Sequence, residues 1–203
     1  MATPGPINKK GKLPERRSIR LRGFDYSQAG VYFVTICADR RRALFGKVVD
    51  GSMRLNWLGR IVEQTWLEIP LHCANVGLDA HVVMPNHLHG ILVVYKRARH
   101  AVPLPVSDQH AEAFGQPREA SIPTIVRSFK AAVTKKVHER IPHLRLPVWQ
   151  RGYFEHVIRP GDNMGRIIGY IYENPKRWLW DKENPHRRTT AIKEDPRDLW
   201  SRL

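Results

Sequence analysis

The pattern of apolar and polar positions divides the chain into alternating strands and helices. Residues 30 to 38, GVYFVTICA, are rich in β-branched and aromatic side chains and predict a first strand. Apolar residues then recur at helical spacing, namely Leu58, Ile61, Val62, Trp66 and Ile69. This periodicity predicts an amphipathic helix that Asn56 caps and Pro70 ends.

A β-hairpin is predicted next, in residues 76 to 95, VGLDAHVVMPNHLHGILVVY. Two β-branched runs are separated there by Pro85 and Asn86, a pair that favours a turn. A second helix follows, and its apolar face is built from Ile122, Ile125, Val126, Phe129, Ala132, Val133 and Val137.

The last two predicted elements are a strand at residues 146 to 159 and a helix at residues 161 to 178, capped near Asp162 and stopped at Pro175. Without that helix the order is β-α-β-β-α-β, the signature of an α+β fold of the ferredoxin-like, RRM-like split-βαβ type. Such a fold has an antiparallel sheet with two helices on one face. The other face is expected to be free for a site, and the last helix is an addition.

Length and composition favour one domain with appended arms. A chain of 203 residues suits a single core, which we assign to residues 23 to 178. Residues 1 to 22 carry seven basic residues against one acid, with Pro and Gly between them, and predict a flexible basic arm. Residues 96 to 120 predict an exposed loop, and residues 179 to 203 predict a basic tail.

The charge of the chain indicates a polyanionic partner. Lys and Arg total 34 against 19 Asp and Glu, which gives a formal net charge of +15 and a pI near 10.3. Nucleic acid is favoured over membrane because no stretch approaches the roughly 18 apolar residues of a spanning helix. A soluble cytoplasmic or nucleoid-associated protein is expected. Cys37 and Cys73 share no metal-ligand spacing, so we expect neither a disulfide framework nor a zinc ribbon.

Two histidines interrupt the second strand of the predicted hairpin. Strand alternation sends His87 and His89 to one face, while Leu88 and Leu92 point to the other. The aliphatic set suits the helix-covered face, which leaves the imidazoles side by side on the open face. Their expected separation of roughly 6 to 7 Å is close enough to bind one cation. The alternative is a pair of solvent-facing or packed imidazoles without a metal.

The last helix offers a partner for this pair. Tyr170 and Asn174 are four residues apart and therefore share one helical face. An amide oxygen suits a hard cation as a third ligand, and a phenol one turn away can attack a phosphorus atom that the cation polarises. The alternative is an ordinary amphipathic helix in which Tyr170 and Tyr172 only pack or bond through their hydroxyls.

These segments together resemble a known family. MPNHLHGI, residues 84 to 91, resembles the His-hydrophobic-His (HUH) motif, and YIYENP, residues 170 to 175, resembles the catalytic-tyrosine helix of single-tyrosine transposases. The strongest resemblance is to the REP-associated tyrosine transposases within that group. It extends from about residue 16 to 178 and includes SIRLRGFDYSQAGVYFVTICADRRRALFG, IPTIVRSFKAAVT and VWQRGYFEHVIR.

The resemblance implies a metal-dependent DNA strand transferase. His87 and His89 would hold a divalent ion, Mg²⁺ or Mn²⁺, with Asn174 at the position of the third ligand. Tyr170, rather than Tyr172, matches the nucleophile that attacks single-stranded DNA and forms a 5′-phosphotyrosine link. The implied substrate is single-stranded DNA with a hairpin, and the implied assembly is a monomer or a homodimer.

Weaker expectations concern the other polar residues. Glu155 and His156 are candidates for orienting a metal ligand. The basic residues expected to contact DNA are Arg16, Arg17, Arg20, Arg22, Arg127, Lys130, Arg151 and Arg177, together with the triplet Arg40 to Arg42. Two other functions remain open: a module that binds single-stranded DNA or RNA without cutting it, and a metal-dependent nuclease that uses water.

Overall fold

A computed structural model describes residues 25–96, 121–143 and 147–187. In chain order the elements of these ranges are β1 (Gly30–Cys37), β2 (Gly46–Val49), β3 (Ser52–Leu55), α1 (Trp57–Leu67), α2 (Ile69–His72), β4 (Val76–Val83), β5 (His87–Val94), α3 (Ile122–Arg140), β6 (Phe154–Ile158) and α4 (Met164–Arg177). Short 3₁₀ turns cover Asp39–Arg41 and Trp178–Trp180. The predicted arm at 1–22, nearly all of the predicted loop and the end of the tail lie outside the described residues.

The main sheet has the strand order β4-β5-β1-β6, and all three of its pairings are antiparallel. With β2 and β3 set aside, this is the ferredoxin-like order, in which the first strand lies between the third and the fourth. The predicted α+β class and the antiparallel sheet are therefore confirmed. Because β1 is central, its side chains contact those of both β5 and β6.

One face of the sheet is covered by α1 and α3, as predicted. Leu88 and Leu92 of β5 join Trp66 of α1 and Phe129 of α3 in the larger hydrophobic core. Trp66 is fully buried against Gly90, where any Cβ would collide with the indole ring. Glycine therefore permits the close approach of α1 to the sheet.

The opposite face is covered by α4, although the sequence indicated a free face. Ile167 and Ile171 of α4 pack with Phe33 of β1 and Ile91 of β5 in a second, smaller apolar cluster. The isoleucines lie one helical turn apart, so their stripe meets the sheet while the rest of the helix remains polar. The helix that carries Tyr170 therefore packs on the face that carries the histidines.

Several predicted boundaries differ from the structure. The strand expected at residues 146–159 is confined to β6, because Gly152 has a φ of +75° and Trp149 forms only an isolated bridge to Ala38. Asn163, rather than Asp162, caps α4 by accepting a hydrogen bond from the Arg166 amide. Pro175 lies inside the last turn of α4 instead of ending it.

Near α1 the structure confirms the predicted cap but not the predicted stop. The Asn56 side chain accepts from the Gly59 amide, whereas Pro70 lies at the start of α2, after α1 has ended. The hairpin of β2 and β3 was missed, although Asp50-Gly51 is a strong turn signal. Both residues have positive φ values, 51° and 70°, as a type I′ turn requires.

Among the described helices, none has the length and apolar character needed to cross a membrane.

Candidate metal and nucleophile site

The two histidines of β5 converge beneath α4. His87 and His89 are 0% and 1% exposed, and their ring centroids lie 4.4 Å apart. Their Nε2 atoms are separated by only 3.0 Å, because both rings turn toward the same point. The alternative of solvent-facing imidazoles is excluded.

The spacing of these nitrogens suits a six-coordinate ion. Two ligand atoms at neighbouring corners of an octahedron with bonds of about 2.1 Å are about 3.0 Å apart. The observed separation of the His87 and His89 Nε2 atoms is 3.0 Å. The pair is thus arranged so that one ion can accept both lone pairs.

The buried position keeps both imidazoles neutral. Burial lowers the pKa of His87, although the carboxylates of Asp181 and Glu183 oppose that effect. Burial, followed by the charge of His87, brings the pKa of His89 well below its ordinary value of 6.5. A neutral imidazole is the form that binds metal, so near neutral pH the site is ready for a cation.

Each imidazole is oriented through its second nitrogen. Nδ1 of His89 lies 2.9 Å from the Thr35 hydroxyl, and Thr35 is directly opposite His89 in the β1–β5 register. Nδ1 of His87 lies 2.8 Å from Oδ1 of Asn86. These contacts direct both Nε2 atoms toward each other, and such partners commonly tune metal-binding histidines.

A carboxylate joins the histidine pair from the segment after α4. Oδ2 of Asp181 lies 3.9 Å from Nε2 of His87, and one ligand atom from each of His87, His89 and Asp181 falls within 4.8 Å of the others. The three residues are buried and form a donor set that is compatible with a divalent metal. Sequence reasoning missed Asp181, because it belongs to a predicted tail with no periodicity and no ligand spacing.

Asn174 is also suitable as a ligand. Its side chain is 1% exposed, and its Oδ1 atom accepts no hydrogen bond from the described part of the chain. It lies four residues after Tyr170, which contacts His89, and four before Trp178, whose ring centroid is 6.1 Å from that of His87. The face of the helix that carries Asn174 is therefore turned toward the two imidazoles, and a buried oxygen without a donor suits a cation.

Tyr170 lies beside this donor set. Its hydroxyl is 3.3 Å from Nε2 of His89, and its ring stands edge-on to that of Phe33 at a centroid distance of 6.4 Å. Tyr172, by contrast, is 63% exposed on the outer side of α4. The helix therefore brings Tyr170, and not Tyr172, to the histidine pair.

A cavity of about 620 Å³ opens next to His89. Its wall combines the half-buried aromatic side chains of Tyr153 and Phe154 with basic side chains from Arg41, Arg151, Lys182 and Arg187. Aromatic rings and cations are the groups that hold the bases and phosphates of a single nucleic-acid strand. The cavity thus has a lining suited to a single strand, and it reaches His89, the residue that the Tyr170 hydroxyl contacts.

The expected DNA-contacting residues are scattered. Arg151 is exposed on the cavity wall. Lys130 instead donates to the carbonyls of Gln150 and Gly152, at 2.9 and 2.5 Å, and burial lowers its pKa to about 8. Arg127 is exposed on α3, across the sheet from the histidines.

The other basic candidates lie elsewhere. Arg177 forms an ion pair of 2.9 Å with Glu173, one turn earlier on α4. Within the triplet, Arg41 pairs with Glu183 at 3.0 Å, and both Arg40 and Arg42 pair with Asp39, at 3.9 and 3.0 Å. Arg16, Arg17, Arg20 and Arg22 lie outside the described residues.

The structure gives little support to a ligand-orienting role for Glu155 or His156. Glu155 is opposite Val34, whose side chain belongs to the helix-covered core, so its own side chain points away from the histidine pair. His156 is opposite Phe33 on the same face as the histidine pair, but its Nε2 atom lies 3.5 Å from Oδ2 of Asp162, in the turn before α4. The residues that orient the imidazoles are Thr35 and Asn86.

The segment after α4 is held against the site by Glu183. Its carboxylate pairs with Arg41 at 3.0 Å and accepts a hydrogen bond from the Cys37 thiol at 3.5 Å. Burial raises the pKa of Cys37 to about 12, and the charge of Glu183 adds to this effect, so Cys37 remains a thiol. We find no disulfide among the described cysteines, since Cys37 and Cys73 are both free.

Comparison with known proteins identifies the relatives of the chain. No family model matches it. An uncharacterized protein of Haemophilus influenzae is 38% identical over 170 residues, which cover 84% of this chain and 93% of that protein. The chain belongs to the same family as this Haemophilus protein.

A solved structure has a similar fold. The structure of a REP-associated tyrosine transposase bound to a REP hairpin matches with a TM-score of 0.50 and 21% identity, over 84% of this chain and 77% of that one. The expected fold is thereby confirmed. A putative transposase from Deinococcus radiodurans R1 has a TM-score of 0.42 and 19% identity, over 76% of this chain and 95% of that one.

Proposed function

We propose that this protein cleaves single-stranded DNA beside a hairpin and transfers the cleaved strand, with Tyr170 as the nucleophile and a divalent ion as the cofactor. The observation that carries the proposal is the position of the Tyr170 hydroxyl, 3.3 Å from a buried histidine pair that can share one ion. A nucleophile beside a cation site is the arrangement that phosphodiester transfer requires.

The proposed ligands are His87 and His89, with oxygen from Asn174 and Asp181. Two imidazoles and two oxygen donors suit Mn²⁺ or Mg²⁺, which accept oxygen ligands and leave positions for phosphate oxygens. When bound, the ion supplies positive charge that stabilises the charge developing on the phosphate. The unfilled hydrogen-bonding capacity of the Asn174 oxygen supports this assignment.

The chemical step is a transfer between two oxygens. The phenol oxygen of Tyr170 gives up its proton and attacks the phosphorus, and the bond from phosphorus to the 3′ oxygen breaks. The 3′ oxygen takes a proton and leaves as a hydroxyl, while the 5′ phosphate stays on the tyrosine. The reverse attack by a 3′ hydroxyl rejoins a strand, so no nucleotide cofactor is needed.

The hairpin substrate is supported by a single comparison. The REP-associated tyrosine transposase of similar fold was solved with a REP hairpin bound. The formal net charge of +15 and the basic, aromatic wall of the cavity suit such a ligand.

Two other functions make different predictions. A sheet that binds single strands by stacking needs exposed aromatic residues, whereas Phe33, at the centre of this sheet, is 1% exposed beneath α4. A nuclease that uses water would not need the Tyr170 hydroxyl.

The experiment compares Tyr170→Phe with Tyr172→Phe on a single strand that carries a hairpin, in the presence of Mn²⁺. We expect Tyr170→Phe to abolish cleavage and Tyr172→Phe to retain it, because only Tyr170 reaches the histidines. Cleavage that survives in Tyr170→Phe would favour the nuclease, and binding without cleavage by the wild type would favour the binding module.

A further inference from the structure

Asn86, the residue before the first histidine, is fully buried and uses its whole side chain in hydrogen bonds. Its Nδ2 atom donates to the backbone carbonyl of Arg41 at 3.0 Å and to that of Glu183 at 2.6 Å. Its Oδ1 atom lies 2.8 Å from Nδ1 of His87. One amide therefore joins three segments: the turn after β1, the start of β5 and the stretch after α4.

The two carbonyls determine which way the amide faces. A carbonyl only accepts hydrogen bonds, so the atom between the Arg41 and Glu183 carbonyls must be the amide nitrogen, which carries two hydrogens. The atom facing His87 is therefore the amide oxygen, which only accepts. Nδ1 of His87 must then carry the ring hydrogen.

We propose that Asn86 is a positioning residue that holds His87 in its Nδ1–H tautomer and so presents the bare lone pair of Nε2 to a metal ion. The inference relies on the proposed function for the use of that metal, whereas the tautomer follows from the hydrogen bonds alone. Asn86 does not touch the ion. It acts through the imidazole, and a partner of this kind fixes both the tautomer and the ring direction of a ligand.

The second histidine is not restricted in this way. The Thr35 hydroxyl beside Nδ1 of His89 can donate or accept, so it tolerates either tautomer. In the metal-free protein, two bare lone pairs would repel each other at the observed Nε2 separation of 3.0 Å. With the hydrogen of His87 on Nδ1, Nε2 of His89 must therefore carry a hydrogen there and donate it to Nε2 of His87.

The first measurement reads the tautomers directly. The protein is labelled with ¹⁵N-histidine, kept free of metal near neutral pH and studied by two-bond ¹H–¹⁵N correlation, with His87→Gln used to assign the His87 signals. We expect the hydrogen of His87 on Nδ1 in the wild type. A wild-type signal with that hydrogen on Nε2 overturns the proposal before any change at Asn86 is made.

Two substitutions at Asn86 separate positioning from tethering. Asn86→Ala removes the acceptor and both donors, so His87 is expected to shift toward Nε2–H, and calorimetry is expected to give a Mn²⁺ affinity about 10 to 100 times weaker. Asn86→Asp keeps an acceptor for Nδ1–H while removing the donors. It is expected to retain the wild-type tautomer and to bind Mn²⁺ more tightly than Asn86→Ala does.

Asn56 provides the matched control. Like Asn86 it donates from Nδ2 to a backbone carbonyl, that of Leu44, but its Oδ1 accepts from the backbone amide of Gly59 instead of facing a histidine, both at 2.9 Å. Asn56→Ala is expected to lower stability without altering the His87 tautomer or the Mn²⁺ affinity. The proposal is overturned if Asn86→Ala keeps the wild-type tautomer, or if its Mn²⁺ affinity equals that of Asn56→Ala.

These readouts are independent of the reaction. They require no DNA, so a protein that never forms a covalent DNA adduct can still show the tautomer assigned here, and an active protein can fail to show it. If Asn86→Ala does not fold, the wild type and Asn86→Asp still test the proposal. A His87 hydrogen on Nε2 in Asn86→Asp would contradict the proposal as well.

Discussion

The hydroxyl of Tyr170 lies 3.3 Å from Nε2 of His89, although 81 residues separate them in the chain. The contact exists because Ile167 and Ile171, on the same helix, pack against Phe33 and Ile91 of the sheet. The apolar stripe of α4 therefore determines where the phenol lies. Packing of the sheet and chemistry of the site depend on the same short helix.

A substitution of the buried Asn174 is expected to affect metal binding and folding in different ways. A buried oxygen without a donor costs about 1 to 3 kcal/mol, so Asn174→Leu is expected to preserve or raise the free energy of unfolding of the metal-free protein. The same change is expected to reduce the rise in melting temperature that Mn²⁺ produces, because one ligand is lost. Thermal melts with and without Mn²⁺ measure both effects, and an unchanged Mn²⁺ response in the variant would remove Asn174 from the ligand set.

Thr35 is expected to matter for the metal more than for the fold. Thr35→Val removes the hydroxyl that lies 2.9 Å from Nδ1 of His89, and we expect the Mn²⁺ affinity to fall by about tenfold or more. Calorimetry in the absence of DNA measures this Mn²⁺ affinity. Thr134→Val is the control, because within the described residues the Thr134 hydroxyl donates to the Lys130 carbonyl of its own helix, away from the histidines. Equal affinities in the two variants would show that the Thr35 contact plays no part.

The stability of the metal-free protein is expected to fall in acid because of the histidine pair. Burial lowers the pKa of both His87 and His89, so their neutral forms are favoured by folding. The contribution of the two neutral histidines to the free energy of unfolding is complete above pH 6.5, which is about the pKa of histidine in the unfolded chain. This contribution is lost as the pH falls below that value. We expect a loss of up to about 1.4 kcal/mol per pH unit for each histidine.

Urea unfolding at several pH values between 7.5 and 5 measures this slope. The double variant with His87→Gln and His89→Gln is expected to have a flatter pH profile than the wild type. Parallel profiles for the two proteins would mean that the histidines are protonated equally in the folded and unfolded states.

Gly90 is expected to tolerate no side chain. Gly90→Ala forces a methyl group into the Trp66 indole and is expected to reduce the free energy of unfolding by about 1 to 3 kcal/mol. Gly169→Ala is the matched change in open space on α4, where helix propensity is expected to give about 0.5 to 1 kcal/mol of added stability. Chemical denaturation of both variants measures whether the free energy of unfolding falls in Gly90→Ala and rises in Gly169→Ala.

The sequence predicts well what depends on local periodicity. Strand alternation assigned His87 and His89 to the face opposite Leu88, and helical spacing assigned Tyr170 and Asn174 to one face. Both assignments agree with the structure. They hold because a strand repeats every two residues and a helix every 3.6, whatever packs around them.

Contacts between segments that are far apart in the chain leave no periodic pattern in the sequence. Asp181 reaches His87 from a segment without periodicity, and the Asn86 amide meets carbonyls 45 and 97 residues away. The expected separation of 6 to 7 Å between the histidines also ignored how their rings turn. The strand predicted at residues 146–159 is shorter in the structure, because the positive φ of Gly152, +75°, interrupts the extended backbone.

The most direct test of the central claim is the identity of the covalent DNA adduct. Wild-type protein is incubated with Mn²⁺ and a hairpin-bearing single strand, and the SDS-resistant product is digested and studied by peptide mass spectrometry. We expect a 5′-phosphotyrosine on Tyr170, with a free 3′ hydroxyl on the released strand. Cleaved DNA without any adduct, or an adduct on Tyr172, would contradict the account.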